Sequence, residues 1–203
     1  MNDRTISALA DYADAMLAAR RAKNLLFLVI LLILLSQISI FLIGRYQIDF
    51  SEANNRDDFL RYWIGVTDFL GIIAPVVLGV DLLLILAIML VGRLIGVANL
   101  VWAFLWCVVL AILLFPWQAF LINATFTSPE FRIPGVLYNW AELILRVREH
   151  DSGWKLVGLF WARLVGFPVV ALAVLLKIQM GSRRGMRLAL GEAPAPVDVS
   201  VGR

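Results

Sequence analysis

Long apolar runs hold just two charged side chains, Asp81 and Arg163, and beside Ser36 and Ser39 a third run holds the amide Gln37. A lone carboxylate at that depth costs on the order of 2.5–3.5 kcal/mol on insertion scales, so such groups pair, bind or react. Counted from the outer ends of their runs, Asp81 lies about 18 Å down and Arg163 about 10 Å, at roughly 1.5 Å per helical residue. The arginine stem closes much of that difference, and Gln37 lies at a depth comparable to Arg163. The pattern therefore predicts that Asp81 and Arg163 face the bundle interior and interact directly or through Gln37. One reading is a proton or ion relay, or a small polar binding site. The other is a buried ion pair whose task is to fix which helices pack together.

The rest of the chain offers little for catalysis. Cys107 is the single cysteine and falls inside an apolar run, so an internal disulfide, a CxxC pair and a thiolate metal cluster are excluded; it reads as a small core residue. His150 is the single histidine and belongs to an outer loop, which excludes haem held between two histidines of this chain and a histidine-rich metal site. Walker, GxSxG and HExxH patterns are absent from the sequence. No metal or cofactor is expected, and no enzymatic activity.

Four runs must position these residues: 25–44, 69–91, 97–122 and 156–176. Each is long enough to cross a hydrocarbon core of about 30 Å. Barrel-type alternation is missing, so the runs read as helices. The composition agrees, with 62% hydrophobic and only 16% charged residues and a mean hydropathy of +0.87. The predicted fold is all-α: a polytopic four-transmembrane-helix bundle with short amphipathic surface helices. Its parts are an amphipathic N-terminal helix over 1–23, a membrane domain over 24–180 and a flexible basic tail over 181–203. Within the membrane domain, Pro134 and the apolar stripe Leu137, Trp140, Ile144 and Val147 predict an outer interfacial helix over 135–148.

Basic residues hug one side of the spans: Arg20, Arg21 and Lys23, then Arg93, then Lys177, Arg183, Arg184 and Arg187. The positive-inside rule then puts both termini in the cytoplasm. Trp63, Trp117, Trp140 and Trp154 are read as interface anchors, because an indole with one polar edge favours the headgroup level. Gly158, Ala162 and Gly166 form a small-xxx-small line for close helix packing. Pro75 and Pro168 are expected to kink their helices.

Basic residues are not interleaved with aromatics for stacking on bases, so nucleic acid is excluded as a partner. The expected partners are the lipid bilayer and other membrane subunits, or a second copy. Function by this reading is an accessory, scaffold or assembly subunit of a membrane complex, in a bacterial inner membrane. The alternative is a small transporter or channel using Asp81 and Arg163; an intramembrane enzyme ranks last.

Overall fold

A seven-residue spacing of buried side chains builds the architecture. In the computed structural model, which describes residues 3–46, 55–115, 136–137, 158 and 161–192, the chain forms four long helices. They are α1 (Asp3–Tyr46), α2 (Asn55–Val91), α3 (Val97–Leu114) and α4 (Phe167–Ala189), the last preceded by a π-helical turn over Ala162–Gly166. Met16, Lys23, Ile30 and Gln37 are buried on α1, Ile64, Leu78 and Ile85 on α2, Leu100, Cys107 and Leu114 on α3, and Ala171 and Ile178 on α4. Heptad spacing keeps one stripe of each helix on a common seam, which is the geometry of left-handed bundles. Neighbours along the chain pack against each other, and α4 returns to close on α1.

All four helices are long and apolar enough to cross a membrane, and no strand occurs among the described residues. Their lipid-sized faces stay uncovered. Leu25, Leu28 and Leu32 on α1 and Val76, Val80 and Leu84 on α2 are exposed, as expected of helices that need no water around them.

The element boundaries differ from the sequence reading in instructive ways. The amphipathic segment and the first span are one continuous helix, because no proline or glycine interrupts residues 3–43. Helix α2 begins at Asn55, well before the apolar run, and Asn55, Asp57 and Asp58 put polar and acidic residues in its first turn. Residues 181–189, assigned above to the flexible tail, are helical. Their arginines 183, 184 and 187 point outward while Ser182, Gly185, Met186 and Leu188 are buried, so the amphipathic pattern carries the helix on. It stops at a Schellman cap: Gly191 adopts φ 70°, its N–H donates to Leu188 O, and the Glu192 N–H donates to Arg187 O at 2.8 Å. Glu192 then reaches Arg20 of α1 at 2.9 Å.

Between α2 and α3 the chain reverses in five residues, Gly92 to Gly96. Arg93 (φ 50°) and Gly96 (φ 97°) are both left-handed. A Cβ on Gly96 would stand 2.6 Å from Gly185 O, so glycine is required there twice over, by conformation and by space. At Gly181 and Gly185 α4 also lies close to α3: a Cβ at 181 would meet Ala103 Cβ and Asn99 O at 3.4 Å. The close helix approach thus falls on Gly181-xxx-Gly185. Among the described residues, no neighbouring helix comes within 4 Å of a Cβ at Gly158 or Gly166. The π turn holding Ala162 and Gly166 directly precedes Pro168, and Phe167 N–H donates to Ala162 O, five residues back. Such a widened turn accommodates the ring and missing donor of a proline.

Of the predicted anchors, Trp63 is exposed and stacks on Phe59 at 6.3 Å. Trp117, Trp140 and Trp154 lie outside the described residues. So does the segment 135–148 apart from Val136 and Leu137; Leu137 covers Gly71 of α2.

Candidate functional site: two buried polar tiers

Antiparallel neighbours exchange residues at fixed register, and one hydrogen bond sets that register for α1 and α2. The Gln37 amide donates to Thr67 Oγ1 at 3.0 Å and, more weakly, to Asp68 Oδ1 at 3.5 Å. Two heptads down α1 is Lys23, and two heptads along α2 is Asp81, so the same register faces these two with each other. About 21 Å separates the tiers at 1.5 Å per residue. The tier near the Gly92–Gly96 turn is called the turn-end tier, the other the open-end tier.

The open-end tier is neutral at its centre and internally bonded. Gln37 and Thr67 are buried; Thr67 accepts from Gln37 and donates to Ile64 O at 2.9 Å. A hydroxyl that accepts and donates at once is a satisfied polar group, which is what a buried site requires.

The turn-end tier carries full charges. Lys23 is 1% exposed, and its Nζ donates to Ser182 Oγ at 3.0 Å; Ser182 in turn lies 3.3 Å from Gln179 O. Asp81 is 8% exposed, and its buried Oδ2 accepts no hydrogen bond among the described residues. The charge that acts on Asp81 is that of Lys23, while Arg20 and Arg183 also act on Lys23. The lysine and carboxylate are not in ion-pair contact. Beside them Gln179 donates to Asn24 at 3.2 Å, so α1 and α4 are joined twice at this height.

Of the three residues singled out from the sequence, Asp81 and Arg163 are not brought together. Arg163 sits in the π turn at the open end, beside Leu164, which packs with Ile40, Phe41 and Ile64. About 28 Å of helix separates it from Ser182, the α4 residue at the height of Asp81. Depths measured from the ends of apolar runs placed Asp81 and Arg163 too near each other, because the helices extend well past those runs. Gln37 bonds to Thr67, not to Asp81. The residue that faces Asp81 is Lys23, which by sequence reads as a juxtamembrane base. Its signal was present: Lys23 occupies the same heptad position as Met16, Ile30 and Gln37.

Between the tiers the interior is apolar and tightly packed. Ile30, Leu34, Leu78, Leu110, Ala171 and Leu175 are all buried there. Cys107 lies in this layer and its thiol donates to Pro75 O at 3.4 Å, consistent with a packed core thiol.

On the outer surface of this layer α2 and α3 part to leave an apolar groove of about 570 Å³, lined by Pro75, Gly79, Leu83, Phe104, Val108 and Ala111 among others. Groups of three or more His, Cys, Asp or Glu able to hold a metal are absent among the described residues.

The chain matches no protein-family model, and comparisons with curated proteins and with solved structures return no match.

Proposed function

We propose that this protein is an integral component of a membrane complex, an accessory, scaffold or assembly subunit that carries no reaction of its own. The observation that carries this reading is the open groove between α2 and α3. Gly79 and Ala111 in its lining carry no side chain beyond a methyl, so an apolar segment of a partner can approach the helix backbones closely. A second copy of the chain would meet the same surface.

The alternative is a small transporter or channel. It is favoured by the Asp81 carboxylate, whose Oδ2 accepts no hydrogen bond among the described residues, and it requires a water path along the bundle. The packed apolar layer between the two tiers opposes that path in this conformation. With the basic residues placed on the cytoplasmic side, both termini and the Gly92–Gly96 turn lie inside, in a bacterial inner membrane.

Purification in mild detergent tests the reading. Wild-type protein is expected to retain a stoichiometric membrane partner, and Val108→Trp with Ala111→Phe, which fill the groove, to lose it at unchanged thermal stability. Recovery of wild type as a lone monomer or homo-oligomer would overturn it. For orientation, a reporter active only in the cytoplasm should be active after Arg187 and silent near Asn54.

A further inference from the structure

Along the open-end part of α2, charge and apolar surface follow each other in a fixed order on one face. Asp58, Arg61, Tyr62, Gly65, Val66 and Phe69 recur at three- and four-residue spacing and line a shallow groove of about 600 Å³. Ile64 and Thr67 are buried on the α1 side, against Ile40 and Phe41 and on Gln37, so the groove lies on the face turned away from that seam. It is separate from the groove between α2 and α3, whose α2 residues begin at Pro75. Gly65 makes a notch in it: a Cβ there would meet nothing within 4 Å, and the Tyr62 and Phe69 side chains on either side are exposed. At the outer rim stand Asp58 and Arg61, opposite charges three residues apart. Both are exposed, and neither is in an ion pair among the described residues.

The rest of α2 sets the height of this rim. From Tyr62 to Val91 the helix exposes no charge, since Asp68 is half-buried and Asp81 buried. That stretch is about 44 Å long at 1.5 Å per residue, the thickness of a hydrocarbon core with its headgroup layers. Asp58 and Arg61 therefore stand at headgroup level, with Trp63 stacked on Phe59 in the aromatic belt beside them. Phe69 lies deeper, toward the acyl chains. We propose that this groove binds one phospholipid with a primary-amine zwitterionic headgroup, phosphatidylethanolamine. Its phosphate rests on Arg61, its ammonium on Asp58, and an acyl chain fills the notch at Gly65. The order of groups selects this occupant. In such a lipid the phosphate lies between the chains and the ammonium, and along α2 Arg61 lies between the notch and Asp58. The two charges differ in height by about 4.5 Å, a gap that the two-carbon link from phosphate to ammonium covers. A guanidinium presents a fork of N–H donors to phosphate oxygens, and a carboxylate accepts from the N–H groups of a primary ammonium. Asp58 repels headgroups whose charge is only negative, and a choline ammonium has no N–H to donate to it.

The lipid site goes beyond the subunit reading and needs only the membrane reading of the helices. The full chain, in mild detergent, is mixed with equal amounts of phosphatidylethanolamine, phosphatidylcholine and phosphatidylglycerol of the same acyl chains, and the lipid retained is measured by native mass spectrometry. Wild type should keep one phosphatidylethanolamine several-fold over either of the others. Asp58→Asn should abolish that preference and raise phosphatidylglycerol, while Arg61→Gln should lower all three. Gly65→Leu fills the notch and should lower all three as well, at an unchanged melting temperature, because its new side chain enters open space. Equal retention of the three lipids by wild type would overturn the site, and so would phosphatidylethanolamine retention that Gly65→Leu leaves intact. A dimer that Gly65→Leu converts to monomer would overturn it in favour of a second copy on this face. A protein partner lost from Gly65→Leu would overturn it in favour of that partner, with the subunit reading left standing. A chain that stays monodisperse once detergent is removed would overturn the membrane reading along with the site.

Discussion

The two polar tiers solve one problem in opposite ways. The open-end tier joins α1 to α2 with an amide and a hydroxyl, and Thr67 both accepts and donates. The turn-end tier joins α1 to α4 with an ammonium and a hydroxyl, faces them with a carboxylate of α2, and leaves Asp81 Oδ2 without a bond among the described residues. Neutral groups bonded in a chain, from Gln37 to Thr67 to Ile64 O, pin a register at little desolvation cost. Charged groups that face each other across the seam depend on each other's presence for tolerance in a dry interior. The open-end tier is therefore a clamp. The turn-end tier is a balance of charges, and it is where the bundle is most easily upset.

The largest effect is expected from breaking that balance on one side. Lys23→Met should destabilise the bundle by about 3 kcal/mol, since it leaves a buried carboxylate facing no cation and Ser182 without its donor. Asp81→Asn should cost less, because Lys23 keeps Ser182. The double variant should recover part of the loss, giving a coupling of at least about 1 kcal/mol in thermal melts of the detergent-solubilised protein. Strict additivity would show that the two charges do not sense each other and that the turn-end tier is no unit.

How far could this have been read from the sequence? The four helices and their apolar faces were legible, because runs of about twenty apolar residues have few other uses. The polar residues inside the runs were legible as exceptions. Their partners were not, because partners are fixed by register, and register follows from helix ends that apolar runs do not mark: α2 starts at Asn55 and α4 runs to Ala189. The heptad stripe Met16, Lys23, Ile30 and Gln37 does carry the register. A lysine at a seam position among buried apolar residues was the sign that Lys23 is interior. Gly181 and Gly185 were equally visible as a small-xxx-small pair, yet the basic residues around them read as a tail.

Next in size is the contact that holds the turn end together. Gly96→Ala should cost about 2 kcal/mol or more, from a left-handed φ of 97° and a methyl placed 2.6 Å from Gly185 O. Gly185→Ala, with 3.1 Å to Gly96 O, should cost more than Gly181→Ala, whose neighbours stand at 3.4 Å. Melting the three variants side by side ranks them. The reverse order would mean that α3 and α4 are not pressed together at the turn end, and that charge alone fixes the lower tier.

The clamp should prove more tolerant. Gln37→Leu should lower stability by about 1 kcal/mol, because Thr67 keeps its bond to Ile64 O and no charge is stranded. Adding Thr67→Val should add little. A loss as large as that of Lys23→Met would erase the distinction between the tiers.

The smallest expected effect is also the one that decides most about Asp81. A pair made with Arg163 would show strong coupling in the cycle Asp81→Asn, Arg163→Gln and both. The geometry puts about 28 Å of helix between their heights. At that distance two unit charges interact by only about 0.6 kcal/mol at an effective dielectric of 20. Ions at either membrane face reduce it further. The two losses should therefore add, while the Lys23–Asp81 cycle run in the same detergent does not. Coupling above about 1 kcal/mol between Asp81 and Arg163 would require a conformation in which α4 slides by several turns against α2. That would restore the relay reading and make the packed layer between the tiers a closed state of a moving bundle.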